Sequence, residues 1–305
     1  MTMPPRLFDR ALLAARRRRA RARPRDGADF LLARVVEDLD DRLATVLRRF
    51  GRAVDLGPFA GPGAAALSRS GKVDTVLRAG PDDEAVDLVV DEEVLPFAPE
   101  SLDLVVSLLA LHFVDDLPGA LVQIRRALAP DGLFLASLLG GQTLHELRDA
   151  LMAAELEIHG GVSPRVVPFL DVRDLGGLLQ RAGFALPVTD TDRVTVRYGS
   201  MFDLVADLRA MGATNPLRER SRRPASRALF LRAAEIYAER HADADGRLRA
   251  TFEIVSASGW APHPDQQKPL APGSAQVRLA DALKTHEYAL GRADESGEAP
   301  ERDVE

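Results

Sequence analysis

The chain has 305 residues, 46% hydrophobic and 28% charged, which is enough for one large domain with additions. It has no cysteine, which excludes a disulfide framework, a thiol nucleophile and Cys-held zinc or iron–sulfur sites. The net charge of −6 gives no global drive toward nucleic acid, and no apolar run is long enough to cross a bilayer.

In chain order, Met1–Arg25 is basic, with Arg16–Arg19, Arg21, Arg23 and Arg25 close together. A transit peptide, a partner-docking helix and a solvated helix face packing through Leu7, Phe8, Leu12 and Leu13 all fit this composition. The last reading is preferred. Asp29–Phe50 carries one apolar stripe from Leu31 to Leu47, so a helix is expected, with Gly51 as its stop. Ala53–Leu56 reads as a first strand, Ala64–Ser70 as a short helix and Asp74–Leu77 as a second strand. Three further runs, Val86–Val90, Leu102–Leu109 and Leu133–Leu138, are short, apolar and bounded by Asp, Pro or Gly, as strands buried on both faces are. Leu117, Leu121, Ile124 and Leu128 form a helical stripe between the last two. Strand, helix and strand at this spacing make a parallel βαβ unit with a right-handed crossover.

Beyond it come helices over Thr143–Ile158, with Leu144, Leu147, Leu151 and Leu156 inward, and over Val172–Ala182, closed by Gly183. Ala185–Val188 and Val194–Tyr198 read as two strands, Met201–Met211 and Arg227–Arg240 as helices, and Thr251–Ser256 as an edge strand. Gly291–Glu305 has no apolar periodicity and is expected to be disordered. The fold class is α/β: a Rossmann-like, seven-stranded, mostly parallel sheet with helices on both faces. The expected units are a helical arm (1–50), a core (51–200), a helical addition (201–290) and a tail (291–305).

In such a sheet the ligand sits beyond the carboxyl ends of the strands. Asp55, Gly57 and Gly61 follow the first strand, where a Gly-rich turn lets a ligand approach the backbone, although tight turns use the same residues. Asp91 and Glu92 end the third strand and could hold sugar hydroxyls or an adenine amino group, or simply form a solvated turn. His112 lies just past the fourth strand, open to a site role or a structural one. Arg148 could hold a substrate carboxylate as a bidentate fork, or belong with His145 and Glu146 to an exposed helix face. The remaining histidines show no metal-ligand spacing, so no metal is expected.

Three segments carry a family resemblance: Asp91–Phe97 (DEEVLPF), Ser107–Pro118 (SLLALHFVDDLP) and Gly140–Arg148 (GGQTLHELR). Leu7–Arg10 (LFDR), Arg181–Phe184 (RAGF), Asp207–Asn215 (DLRAMGATN) and Gln266–Ser274 (QQKPLAPGS) add to it. The chain resembles class I S-adenosylmethionine (SAM)-dependent methyltransferases. Within them it is similar to the fifth assembly factor of respiratory complex I and its alphaproteobacterial relatives, and more distantly to the malonyl-carrier-protein methyltransferase of biotin synthesis. The resemblance implies SAM above the first strands. Asp55, Gly57 and Gly61 would lie at its methionine and ribose end, Asp91 and Glu92 near adenine, Ser107 beneath it, and His112 beside it as base or orienter. It implies methyl transfer to a protein or a small acidic substrate, with Arg148 anchoring the acid. The alternative is a non-methylating complex I assembly factor, either a scaffold or a subunit arginine hydroxylase. The expected partner is a complex I subunit, and the expected location cytoplasmic.

Two residues depart from the family loop, acid-x-Gly-x-Gly-x-Gly. Phe59 replaces the middle Gly, and positive φ there would cost roughly 1–3 kcal/mol. Arg78 stands near the second strand's tip, where an acid would bind the ribose. That loss costs about 1.5–3 kcal/mol, or roughly one to two decades of affinity, unless Asp82 or Asp83 replaces it.

Overall fold

The computed structural model describes residues 6–59, 61–81, 86–266, 277–278, 280–281 and 284–285. The chain divides into two compact units, Met1–His263, which holds the whole sheet, and Pro264–Glu305. The first unit begins with helices α1 (Arg10–Arg21) and α2 (Phe30–Thr45), then strand β1 (Phe50–Leu56), α3 (Pro62–Arg69), β2 (Val73–Gly80) and β3 (Leu88–Val89). β4 (Leu102–Leu108), α4 (Leu117–Ala127) and β5 (Leu128–Leu139) follow, then α5 (His145–His159) and α6 (Val172–Arg181). β6 (Ala185–Tyr198), α7 (Met201–Ala210), α8 (Arg227–His241) and β7 (Leu248–Trp260) complete it.

The seven strands lie in the order β3-β2-β1-β4-β5-β7-β6. β1, β2, β3, β4 and β5 run parallel, and β7 pairs antiparallel with both β5 and β6. The βαβ reading of β4, α4 and β5 holds. Asp116 caps α4 by accepting from the Gly119 amide, so Pro118 in the first turn costs no hydrogen bond. Alternate residues of the buried strands feed two cores. Leu104, Val106 and Leu135 pack with α2, α5 and α8 on one face, and Val105, Phe134 and Ala136 pack with α4 and α6 on the other.

Beyond shifts of a few residues at strand ends, among them β2 running to Gly80 and β3 shortening to Leu88–Val89, four readings differ from expectation. The α2 helix ends at Thr45, because the Lys72 ammonium bonds the carbonyls of Leu43, Ala44 and Val46 and so caps its last turn. Val46 and Leu47 therefore leave the stripe, Leu47 is 97% exposed, and Gly51 lies inside β1. Leu156 of α5 faces out at 58% exposure. The two strands expected before and after Thr189–Arg193 are one strand, β6. Its charged middle is tolerated on a sheet edge, where Asp190 and Asp192 pair with Arg42 and Arg34 of α2. β7 is longer than expected and lies inside the sheet, so residues 201–290 contribute a core strand as well as helices. Asp82, Asp83, the 267–274 motif and the tail at 291–305 lie outside the described residues.

Candidate functional site

The turn after β1 is ordered by Asp55. This residue is 2% exposed, and its Oδ2 accepts from the amides of Gly61 (2.9 Å) and Ala64 (2.7 Å), capping α3. Burial pushes its pKa up, and these two amide bonds oppose the shift. Gly57 has φ 144°, and a Cβ on it would stand 2.6 Å from the Cβ of Ala110, so the protein's own β4 tip occupies the space this glycine opens. Phe59 is not among the left-handed residues, so the strain expected there is absent. Arg78 forks onto Asp87, with Nη2 2.7 Å from Oδ1, and holds that carboxyl down at about 2.

The acidic pair at the β3 end is engaged by the N-terminal helix. Arg10 Nη2 donates to Asp91 at 2.8 Å and to Glu92, which is 1% exposed, while Nη1 stands 3.6 Å from Glu93. Burial works against the Arg10 charge, yet the carboxylates of Glu92, Asp91 and Glu93 together raise its pKa. α1 is pinned in this position. The Leu7 and Phe8 amides donate to Asp115 Oδ1 at 2.8 and 2.9 Å, and Asp9 N donates to Pro216 O at 2.8 Å. The arm is thus more than the solvated helix of the sequence reading: Arg17 is 6% exposed and stacks 5.4 Å from the Phe113 ring centre and 5.9 Å from that of Phe59.

Beneath α1 and α2 lies a cavity of about 480 Å³ above the tips of β1, β4 and β5. Its wall includes Arg17, Phe59, His112, Phe113, Thr143 and Phe169. Two further lining residues, Leu109 and Leu144, have φ of 51° and 55°. Left-handed leucines are strained by roughly 1–2 kcal/mol each, and such strain gathers at functional sites. His112 Nδ1 accepts from the Leu139 amide at 3.4 Å, so Nε2 carries the proton. Burial, with Arg17 nearby, pushes its pKa down to about 3. The imidazole is therefore a neutral donor and a weak base at neutral pH.

Of the eight residues singled out in the sequence, only His112 lines the cavity; Asp55, Gly57, Gly61, Asp91, Glu92, Ser107 and Arg148 do not. Arg148 instead donates through Nη2 to the Thr143 carbonyl at 3.2 Å. Ser107 is fully buried in β4, and its Oγ has no hydrogen-bond partner among the described residues. Two buried carboxylates stand beside the loop carrying Thr143: Glu253, which pattern reading missed, and Glu146, read as part of an exposed helix face but only 4% exposed. Glu253 accepts from the Gln142 amide at 3.0 Å, and Glu146 from the Thr251 amide at 3.1 Å. Arg10, Arg17 and Phe169 were also missed. The run of arginines was the available signal for Arg17, but composition does not say which of them turns inward, and Arg10 stands six residues before the run.

This donor set does not fit the adenosyl group as the resemblance would seat it. Its two adenine-side acids bind Arg10, its loop acid caps α3, and its second strand runs on past Arg78, which is committed to Asp87, to end at Gly80 instead of an acid.

A methyltransferase-domain family model matches residues 24–187. The zebrafish (Danio rerio) protein named arginine-hydroxylase NDUFAF5, mitochondrial, is 40% identical over 266 residues, 84% of this chain and 83% of its own. Its human (Homo sapiens) counterpart is 40% identical over 289 residues, 91% of this chain and 84% of its own. The malonyl-[acyl-carrier protein] O-methyltransferase of Gallionella capsiferriformans (strain ES-2) is 37% identical over 194 residues, 64% of this chain and 63% of its own. The crystal structure of Bacillus subtilis YcgJ shares the fold, with a TM-score of 0.50 and 15% identity over 74% of this chain and 99% of that one. The chain therefore belongs to the methyltransferase-domain family and, within it, to the group of the arginine-hydroxylase NDUFAF5 proteins.

Proposed function

We propose that this chain is a non-methylating assembly factor. It would hold an arginine side chain of a respiratory complex I subunit in the cavity beneath α1, where it is presented, or hydroxylated by dioxygen with a two-electron donor supplied from outside the chain, one oxygen atom entering the C–H bond and the other leaving as water. The observation that carries this reading is the Arg10 clamp on Asp91, Glu92 and Glu93, together with a cavity whose wall omits every residue assigned to the cofactor. The choice of arginine rests on the named activity of the relatives at about 40% identity. His112 supplies a fixed Nε2–H that can orient a substrate acceptor, and the aromatic rings of Phe59, Phe113 and Phe169 supply faces on which a planar guanidinium can stack. A cytoplasmic location belongs to the same proposal. No described helix is long and apolar enough to cross a membrane.

SAM-dependent methyl transfer to a protein or a small acidic substrate is the second reading. It is favoured by the unpartnered Oγ of Ser107 in the strand where the resemblance seats the cofactor. Mass spectra of complex I subunits from cells with and without the gene separate the two. The proposal expects an arginine peptide heavier by one oxygen, or no covalent change with lower recovery of the assembled complex. A peptide heavier by one CH2, lost with the gene, would establish the second reading instead.

A further inference from the structure

On the far side of Leu144 and Phe169, which it shares with the cavity wall, lies a second groove of about 440 Å³. Its floor is apolar: Leu147 and Leu151 of α5, Val205 and Leu208 of α7, and Phe230 of α8. Its rim carries Arg16, Arg19, Arg165, Arg209, Arg220 and Arg223, and no Asp or Glu lines it. Three of these arginines are committed: Arg165 pairs with Glu155 at 2.7 Å, Arg220 with Asp9 at 3.1 Å, and Arg16 bonds the carbonyls of Thr214 and Asn215. Arg19, Arg209 and Arg223 are exposed, and their guanidinium groups make no hydrogen bond or ion pair among the described residues. Burial and the neighbouring Arg220 and Arg19 lower the pKa of Arg16, and Asp9 opposes the shift only in part.

An apolar floor under a one-signed rim fits a ligand that is apolar on one side and anionic on its flanks. Phe202, 48% exposed and outside the groove lining, stands one turn before Val205 on α7, at the i, i+3, i+7 spacing with Val205 and Arg209. A free anion has no use for that floor. A flat membrane surface does not enter a concavity, whereas an amphipathic helix does. We propose that this groove docks an acidic amphipathic helix of a protein partner, with apolar residues on the floor and carboxylates facing Arg19, Arg209 and Arg223. The proposal stands apart from what the cavity holds, since none of these three arginines lines it.

The test uses the full chain and two labelled helical peptides, both with Leu at i, i+3, i+4 and i+7, one flanked by Glu and one by Lys. Fluorescence anisotropy should show the wild type binding the Glu peptide, with affinity falling as salt rises. The triple variant Arg19→Glu, Arg209→Glu, Arg223→Glu should melt where the wild type does. It should bind the Glu peptide at least about tenfold more weakly and the Lys peptide more tightly. Failure of the wild type to bind the Glu peptide would overturn the proposal, as would equal binding by the variant or equal affinity for the Lys peptide. In a parallel arm with phosphatidylglycerol vesicles, vesicle binding lost in the variant while the peptide is still bound would assign the rim to a lipid surface and end the peptide proposal.

Discussion

Arg10→Ala removes the one guanidinium that, among the described residues, reaches Asp91, Glu92 and Glu93, and leaves Glu92 buried without that partner. Stripping one member from a buried ion pair costs about 3–5 kcal/mol, because the survivor keeps its desolvation penalty. The Arg10 side chain is 23% exposed and that of Asp91 54%, so water screens part of the loss. The expected destabilisation is about 2–3 kcal/mol, or a melting point lower by about 4–10 °C for a domain of this size. Urea denaturation followed by circular dichroism measures it, as a lower midpoint at unchanged slope. The double variant Arg10→Ala, Glu92→Gln should lose less than the two single losses added, because the neutral amide no longer needs the cation. Arg10→Lys should fall between the wild type and Arg10→Ala, since a single ammonium cannot fork across three carboxylates. A loss below about 0.5 kcal/mol for Arg10→Ala, the range of ordinary surface changes, would refute the reasoning.

Three other outcomes are expected. His112 is held neutral with a pKa of about 3, so the folded state refuses a proton that the unfolded state takes up near pH 6.5. Its contribution to stability is therefore complete above that pH and is lost as pH falls toward 3, with a slope of at most about 1.4 kcal/mol per unit. His112→Gln should flatten the stability–pH curve over this window, and parallel curves would contradict the assignment. Gly57→Ala should destabilise by about 1–3 kcal/mol through its left-handed φ and the contact with Ala110, and Ala110→Gly should restore only the steric part, leaving the strain. Leu47→Glu should change the urea midpoint by less than about 0.5 kcal/mol equivalent, whereas a larger loss would mean that α2 extends through Leu47.

The centre of the parallel half was legible because β4 and β5 are buried on both faces, and largely apolar runs such as Leu102–Leu108 admit few other readings. The antiparallel edge was harder. The charged stretch Thr189–Arg193 looks like a loop in the sequence, and only its pairing with β7 and the arginines of α2 makes it a strand. The end of α2 was misplaced because its stop signal is Lys72, a residue beyond the next strand. At the site, sequence found the acids and His112 but could not say what they face. Asp91 and Glu92 were read against a ligand, while the cation beside them comes from Arg10, some 80 residues earlier in the chain. Such long-range pairing leaves no periodic trace.

The central claim is that the carboxylates at the β3 end serve Arg10 and not an adenosyl ligand. Equilibrium dialysis of the wild-type chain against radiolabelled SAM tests it most directly. The account predicts no saturable binding up to millimolar ligand. One SAM bound per chain with a micromolar dissociation constant would contradict it.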